Sequence, residues 1–187
     1  MELRTDQLEA LAAYVEALER VAVPRGMVAP SDAGRLWDRH VLDSLRAVPE
    51  LLAKGSGADI GSGAGLPGIP LAVALPEARW ALIERRRNRA AFLEAVVDDV
   101  ALGNVEVIVG RAADVADRFD ACVARAFSSP SKTWEAAQPL LRSGGVLVYW
   151  AGERFNRAPL DEMGISVRLS TRADLARTGP LVIMGRQ

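Results

Sequence analysis

With 187 residues, half of them apolar and a quarter charged, the chain has the size and balance of one globular domain with a substantial core. Its formal net charge of −1 excludes a broad cationic surface, so nucleic acid must be met by a local patch or within an assembly. One cysteine and one histidine exclude an intramolecular disulfide and a Cys/His zinc site, and no apolar run approaches the roughly 20 residues of a membrane helix.

The N-terminus carries no secretory pattern, and a cytoplasmic protein is expected. Thr5, Asp6 and Glu9 make a helix start, with acids near the positive end of the helix dipole. Leu8, Leu11, Ala12, Val15 and Leu18 follow as a stripe at helical spacing, expected to pack on the rest of the domain. Val23-Pro24-Arg25-Gly26 breaks it. Ser31-Asp32 is expected to cap a second helix that carries Leu36, Trp37, His40, Val41, Ser44 and Leu45 and stops at Pro49. His40 and Ser44 share one face with Asp43 beside them, but no nucleophile accompanies them. A satisfied, partly buried histidine is as good a reading as an acid–base pair.

Strands and helices then alternate. Ala58-Asp59-Ile60 reads as the end of a buried strand, followed by Gly61-Ser62-Gly63-Ala64-Gly65-Leu66-Pro67-Gly68 and an apolar helix from Ile69 to Leu75. Glycine tolerates positive φ and leaves no Cβ between backbone and ligand. The turn is therefore expected to offer backbone N–H groups to a nucleoside. Two ligand classes fit it. Asp-x-Gly-x-Gly-x-Gly, counted from Asp59, is the pattern of class I methyltransferases. Gly63 to Gly68 also satisfies the dinucleotide fingerprint Gly-x-Gly-x-x-Gly of dehydrogenases, and a plain structural turn is the third reading. Glu84 ends the next strand about 20 residues on, where either cofactor offers ribose hydroxyls.

Arg79 to Glu84 is that second strand, Arg89 to Val100 an amphipathic helix, and Val105 to Val109 a short third strand. Ala121 to Ala126 is the fourth, residues 131–141 a helix, and Val146 to Trp150 the fifth strand behind Gly144-Gly145. The alternation predicts a largely parallel α/β sheet with helices on both faces and its ligand site beyond the carboxyl ends of the strands. Ser166 to Thr171 and Leu181 to Met184 read as a closing hairpin with little room for helix between them. That ending is typical of class I methyltransferases, whereas a dehydrogenase calls for a further substrate domain. One domain over 1–187 is expected, with 1–50 as a helical extension packed on it.

Several segments carry a closer resemblance: Arg39-His40-Val41-Leu42-Asp43-Ser44-Leu45, Asp59 to Pro70, Arg89-Ala90-Ala91-Phe92-Leu93 and Arg125-Ala126-Phe127. In order and spacing they resemble the RsmG/GidB methyltransferases of small-subunit ribosomal RNA, and Gly-Leu-Pro-Gly-Ile-Pro is the most specific piece. The resemblance implies a class I S-adenosylmethionine-dependent fold and methylation of guanine N7 in 16S rRNA. The alternatives are a small-molecule methyltransferase and a catalytically weakened cofactor-binding homologue. Gly61 and Leu66 fall where the family contacts S-adenosyl-L-methionine, Ala112 and Ala113 near the adenine, and Glu84 at the usual acidic position. Asp59, Ser62, Gly63 and Gly65 complete the expected cofactor loop. Arg125 matches the arginine at the end of the fourth strand and is the expected catalytic residue, orienting the base or the cofactor carboxylate. Arg85, Arg86, Arg87 and Arg89 are expected to meet RNA phosphates, Phe127 to stack on a purine, and His40 to lie at the RNA side. The expected partner is ribosomal RNA within a small-subunit particle, met by a monomer with no metal and no membrane contact.

Overall fold

A computed structural model describes residues 2–170 and 179–186. The central element is a sheet of seven strands in the order β3-β2-β1-β4-β5-β7-β6. In chain order they are β1 (Ser56–Ile60), β2 (Arg79–Glu84), β3 (Val105–Val109), β4 (Phe119–Arg125), β5 (Leu141–Trp150), β6 (Ile165–Leu169) and β7 (Leu181–Arg186). β1 to β5 run parallel, while β7 lies antiparallel between β5 and β6. The order reverses between β1 and β4, which places a crevice beyond the carboxyl ends of β1, β2 and β4. β1 and the inner part of β4 are buried on both faces, as a central parallel strand requires. Gly57 belongs here because the Trp80 ring lies 2.6 Å from where a Cβ would stand.

The helices are α1 (Thr5–Ala17), α2 (Leu42–Leu45), α3 (Val48–Leu51), α4 (Gly68–Ala74), α5 (Arg87–Asp99), α6 (Pro130–Ala137) and α7 (Ala158–Glu162). Thr5 is the first helical residue; the Gln7 side chain caps the start by accepting from the Arg4 N–H at 3.0 Å. Leu11, Tyr14 and Leu18 are fully buried with Ile69 of α4 and Leu93 of α5. Burial of each such Leu stabilises by roughly 1.5–3 kcal/mol. Two hydrogen bonds fix where α1 sits: Gln7 Nε2 donates to Val73 O at 2.7 Å, and the Tyr14 hydroxyl donates to Ala64 O at 2.8 Å. The second anchors α1 directly to the glycine loop.

Most element ends shift by one or two residues from the sequence expectation, and three segments differ in ways that bear on the site. The second helix is not one helix capped by Ser31-Asp32. It is a 3-10 segment (Pro30–Arg35), a wide π-type turn (Trp37–Val41), then α2 and α3. The Asp32 carboxylate does not cap; it turns to Arg39 and His40. The helix expected over 131–141 ends earlier, and β5 begins at Leu141 with a register shift against β4 before Val146. Ala126 is no longer strand: its φ is +52° and the chain turns there. Residues 171–178, which include Thr171 and the polar stretch of the closing hairpin, lie outside the described residues.

Candidate functional site

The crevice opens into a cavity of about 750 Å³. Gly61 after β1, Glu84 at the end of β2, Ala112 and Ala113 after β3, and Phe127 after β4 all line it. Arg85, Arg86, Arg89 and Arg111 stand round it. A second cavity of about 230 Å³ adjoins it through Gly61, Arg89 and Ala126, and is lined by Ser62, Gly63, Leu66, His40 and Arg125. Asp59, Gly65 and Arg87 line neither cavity. Arg111 had no place in the sequence reading, although it immediately follows the third strand at the carboxyl edge where ligands bind.

The glycine loop differs from its expectation in one physical respect. Five of its backbone N–H groups are used inside the fold. Those of Gly61 and Ser62 donate to Ile83 O, at 2.9 and 3.1 Å, and that of Gly65 to Ser62 O at 2.7 Å. Gly63 N–H donates to Glu84 Oε2 at 3.0 Å, and Gly68 N–H to Asp59 Oδ2 at 3.0 Å. A pyrophosphate cradle needs such donors free and aimed at the ligand. What the loop gives instead is shape. Gly61 has φ +72°, and a Cβ there would stand 2.7 Å from the Phe127 ring. Gly65, at φ +93°, leaves the space that Ile69 Cδ1 occupies 2.5 Å from a Cβ position.

Two carboxylates hold this loop. Glu84 is buried at the cavity wall; besides Gly63 it accepts from Arg86 N–H at 2.8 Å on its other oxygen. Each carboxylate oxygen retains a lone pair for a further donor. Asp59 lies behind the loop, fully enclosed. Burial pushes its carboxyl up to about 7, with the Gly68 hydrogen bond opposing. Cys122 is enclosed in the sheet, and burial pushes its thiol up as well. Neither group faces the cavity.

Phe127 is 40% exposed on the cavity wall, held at its place by the left-handed turn at Ala126. Arg125 ends β4 with its guanidinium mostly enclosed. Its NH2 meets His40 Nδ1, and its NH1 lies 3.4 Å from Asp43 Oδ2 without forming a hydrogen bond. Burial lowers the Arg125 pKa, with Asp43 opposing. Arg85, Arg86, Arg87, Arg89 and Arg111 form no ion pair among the described residues; Arg89 turns its NH1 toward the glycine loop at Gly63, while the other four are exposed. Among the described residues no group of acidic, His or Cys side chains is arranged to hold a metal.

Comparison with known proteins gives the chain a family. The family model described as GidB, rRNA small subunit methyltransferase G, matches residues 7–163. The chain is 47% identical over 147 residues to the ribosomal RNA small subunit methyltransferase G of Mycolicibacterium paratuberculosis, across 75% of this chain and 58% of that protein. It is 40% identical over 154 residues to the protein of that name from Clavibacter michiganensis, across 81% of this chain and 72% of that one. The chain spans little more than half the length of the mycobacterial relatives first matched. Among solved structures, a methyltransferase from Geobacter sulfurreducens superposes with TM-score 0.65 at 15% identity, covering 93% of this chain and 90% of that one. The O-methyltransferase TomG from Streptomyces achromogenes, solved in complex with SAM, superposes with TM-score 0.61 at 21% identity, over 94% and 88%. These two likenesses are of fold, and the fold is that of the class I methyltransferases.

Proposed function

The chain belongs to the GidB family, rRNA small subunit methyltransferase G, and from that premise we propose that it transfers a methyl group from S-adenosylmethionine to N7 of a guanine in small-subunit ribosomal RNA. In this reading residues 1–50 are an extension packed on a single methyltransferase domain. The observation that carries the proposal is the cavity of about 750 Å³ between Gly61, Glu84 and Phe127, rimmed by arginines that have no acidic partner among the described residues.

The residues present fit a sulfonium nucleoside better than a dinucleotide. Five loop N–H groups, those of Gly61, Ser62, Gly63, Gly65 and Gly68, are already bonded within the fold, whereas Glu84 keeps lone pairs for ribose hydroxyls at the cavity wall. Gly61, Ala112 and Ala113 expose backbone and small side chains, which lets a flat base approach closely. When bound, S-adenosylmethionine supplies an electrophilic methyl group. Guanine N7 carries an in-plane lone pair and no proton, so its attack on that methyl needs no general base. The site is in keeping with this acceptor: His40 Nδ1 is engaged by Arg125, Asp59 is bonded behind the loop, and Glu84 is assigned to the ribose.

Holding and orienting are then the work of the protein. Alignment of reacting groups can lower a barrier by roughly 7–11 kcal/mol. Phe127 presents a ring face for stacking on the purine, worth roughly 1–3 kcal/mol per base. Arg125, which lines the small cavity while its NH1 stays buried beside Asp43, is the cation placed to orient the base or the cofactor carboxylate. Arg85, Arg86, Arg87 and Arg89 supply cations for RNA phosphates, which a chain of net charge −1 must concentrate locally.

Calorimetry with S-adenosylmethionine, its demethylated product and NADH tests the ligand class; binding of NADH alone would overturn it. Labelled methyl transfer to naked small-subunit RNA, to partly assembled subunits and to free guanosine tests the acceptor. Label at guanine N7 of the RNA is expected. Label at a pyrimidine or an exocyclic amine would sink the base-free mechanism, and label on free guanosine alone would favour a small-molecule enzyme.

A further inference from the structure

An ion network ties the N-terminal extension to the end of β4, and nothing in the methyl-transfer chemistry above accounts for it. Asp32 Oδ2 lies 3.1 Å from His40 Nε2, and Asp32 Oδ1 lies 3.0 Å from Arg39 Nε. The other ring nitrogen of His40, Nδ1, meets Arg125 NH2. On the far side of Arg125 stands Asp43, 3.4 Å from NH1, which itself accepts from Arg46 NH1 at 2.8 Å. His40 is 7% exposed and Asp43 4%, so these contacts are made largely out of water.

The hydrogen-bond inventory fixes the protons. Arginine can only donate, so Nδ1 facing it must carry a lone pair. The neutral ring then bears its proton on Nε2, where the Asp32 carboxylate accepts it. An Asp–His–Arg series results, in which each member fixes the next and the last stands at the small cavity beside Gly61. We propose that His40, held in this tautomer by Asp32, is a positioning residue that aims Arg125 into the site. Its kinetic consequence rests on the methyl-transfer reading; its geometry does not.

Protonation of Nδ1 would place two donors face to face and release Arg125. The groups facing the ring are Asp32 from the 3-10 segment, the neighbouring Arg39, and Arg125 from β4, with Arg89 of α5 on the same small cavity. Burial and the Arg125 charge hold the imidazole below its usual value, and Asp32 opposes them. The ring is therefore neutral at neutral pH, and Arg125 loses its His40 contact only on acidification, keeping Asp43 and the Arg39 carbonyl beside it.

His40 is the only histidine in the chain, so its ring resonances are unambiguous. Nitrogen NMR of the whole protein should find Nδ1 unprotonated and Nε2 protonated at neutral pH. Arg125→Gln should raise the His40 pKa, and Asp32→Asn should lower it. The opposite tautomer, or a titration indifferent to Arg125→Gln, would overturn the proposal. The kinetic arm compares two substitutions, each checked for folding by circular dichroism. His40→Asn places an amide oxygen near the Nδ1 position, so it keeps an acceptor for Arg125 that does not titrate. His40→Phe keeps bulk alone. His40→Phe should lower turnover by about tenfold to a hundredfold, the scale of a misplacement near 1 Å, while leaving the cofactor Kd within about twofold. His40→Asn should retain most of the turnover and lose the acid limb of the pH–rate profile. Equal losses in both variants, or an unchanged acid limb in His40→Asn, would refute the positioning role. Absence of transfer by the unsubstituted protein would sink the methyltransferase reading instead, and the positioning of Arg125 would then be decided by the titration.

Discussion

Asp59→Asn should convert a pH-dependent stability into a flatter one. The Asp59 carboxyl is enclosed behind the glycine loop, where burial pushes its pKa from 3.8 up to about 7 and Gly68 N–H at 3.0 Å only partly opposes. A raised acid pKa means that the native state holds its proton more tightly than the unfolded chain does. Stability from this group is thus present at low pH and falls as pH rises through the interval from 3.8 to about 7. At about 1.4 kcal/mol per pKa unit, the loss between about pH 5 and about pH 8 comes to about 2–3 kcal/mol. Asparagine keeps an oxygen for Gly68 and never ionises. The gap in unfolding free energy between Asp59→Asn and the parent should therefore widen in favour of the variant by about 2–3 kcal/mol over that range. Urea unfolding followed by circular dichroism at the two pH values measures it. Other groups, including His40 with its depressed pKa and opposite slope, are common to both proteins and cancel. A gap independent of pH would refute the reasoning, because Asp59 would then be ionised or solvated as in the unfolded chain.

Three further outcomes follow from the site. Gly61→Ala adds a Cβ 2.7 Å from the Phe127 ring at a residue of φ +72°, so it should cost about 1–2 kcal/mol in strain and weaken S-adenosylmethionine binding in calorimetry. Replacing Arg85, Arg86 and Arg87 together with Ser should weaken RNA association and lower the slope of log K against log salt by up to about 2–3; an unchanged slope would return them to a plain solvated face. Phe127→Leu should weaken RNA binding by roughly 1–3 kcal/mol in a filter or anisotropy titration while leaving the fold intact, since the ring is 40% exposed.

The sheet was legible where local chemistry and burial agree. Arg79 to Glu84 and Val105 to Val109 are strands with the boundaries that their apolar and β-branched runs suggest. The antiparallel closing strand at Leu181 likewise follows from an apolar run behind Gly179-Pro180. Segments 30–51 and 138–146 were less legible, because tertiary contacts override local preference there. Asp32 is a good cap by type, yet it is drawn to Arg39 and His40, and the helix it should have opened breaks into shorter turns. Gly144-Gly145 reads as a turn before a strand, but a pairing shift lets β5 begin at Leu141 instead. The short α7 over Ala158–Glu162 has too little periodicity to stand out.

At the site the residue types were legible and their directions were not. Nothing in the spacing of Asp59 says that its carboxylate turns inward to Gly68, or that Glu84 turns back to Gly63, because both depend on which face of the sheet the loop folds over. Those two contacts change what the motif can do. With the amides of Gly61, Ser62, Gly63, Gly65 and Gly68 committed, those five donors are withdrawn from any phosphate at the loop. The uncompensated positive charge lies instead on Arg85, Arg86, Arg89 and Arg111 at the cavity rim. In the proposed reading this division puts an uncharged or cationic nucleoside at the loop and a polyanion at the rim. A dinucleotide would reverse both assignments, since its phosphates belong at the loop. In the proposed reading the same Gly-x-Gly-x-x-Gly letters serve a different ligand, and the hydrogen bonds of two buried carboxylates make the difference.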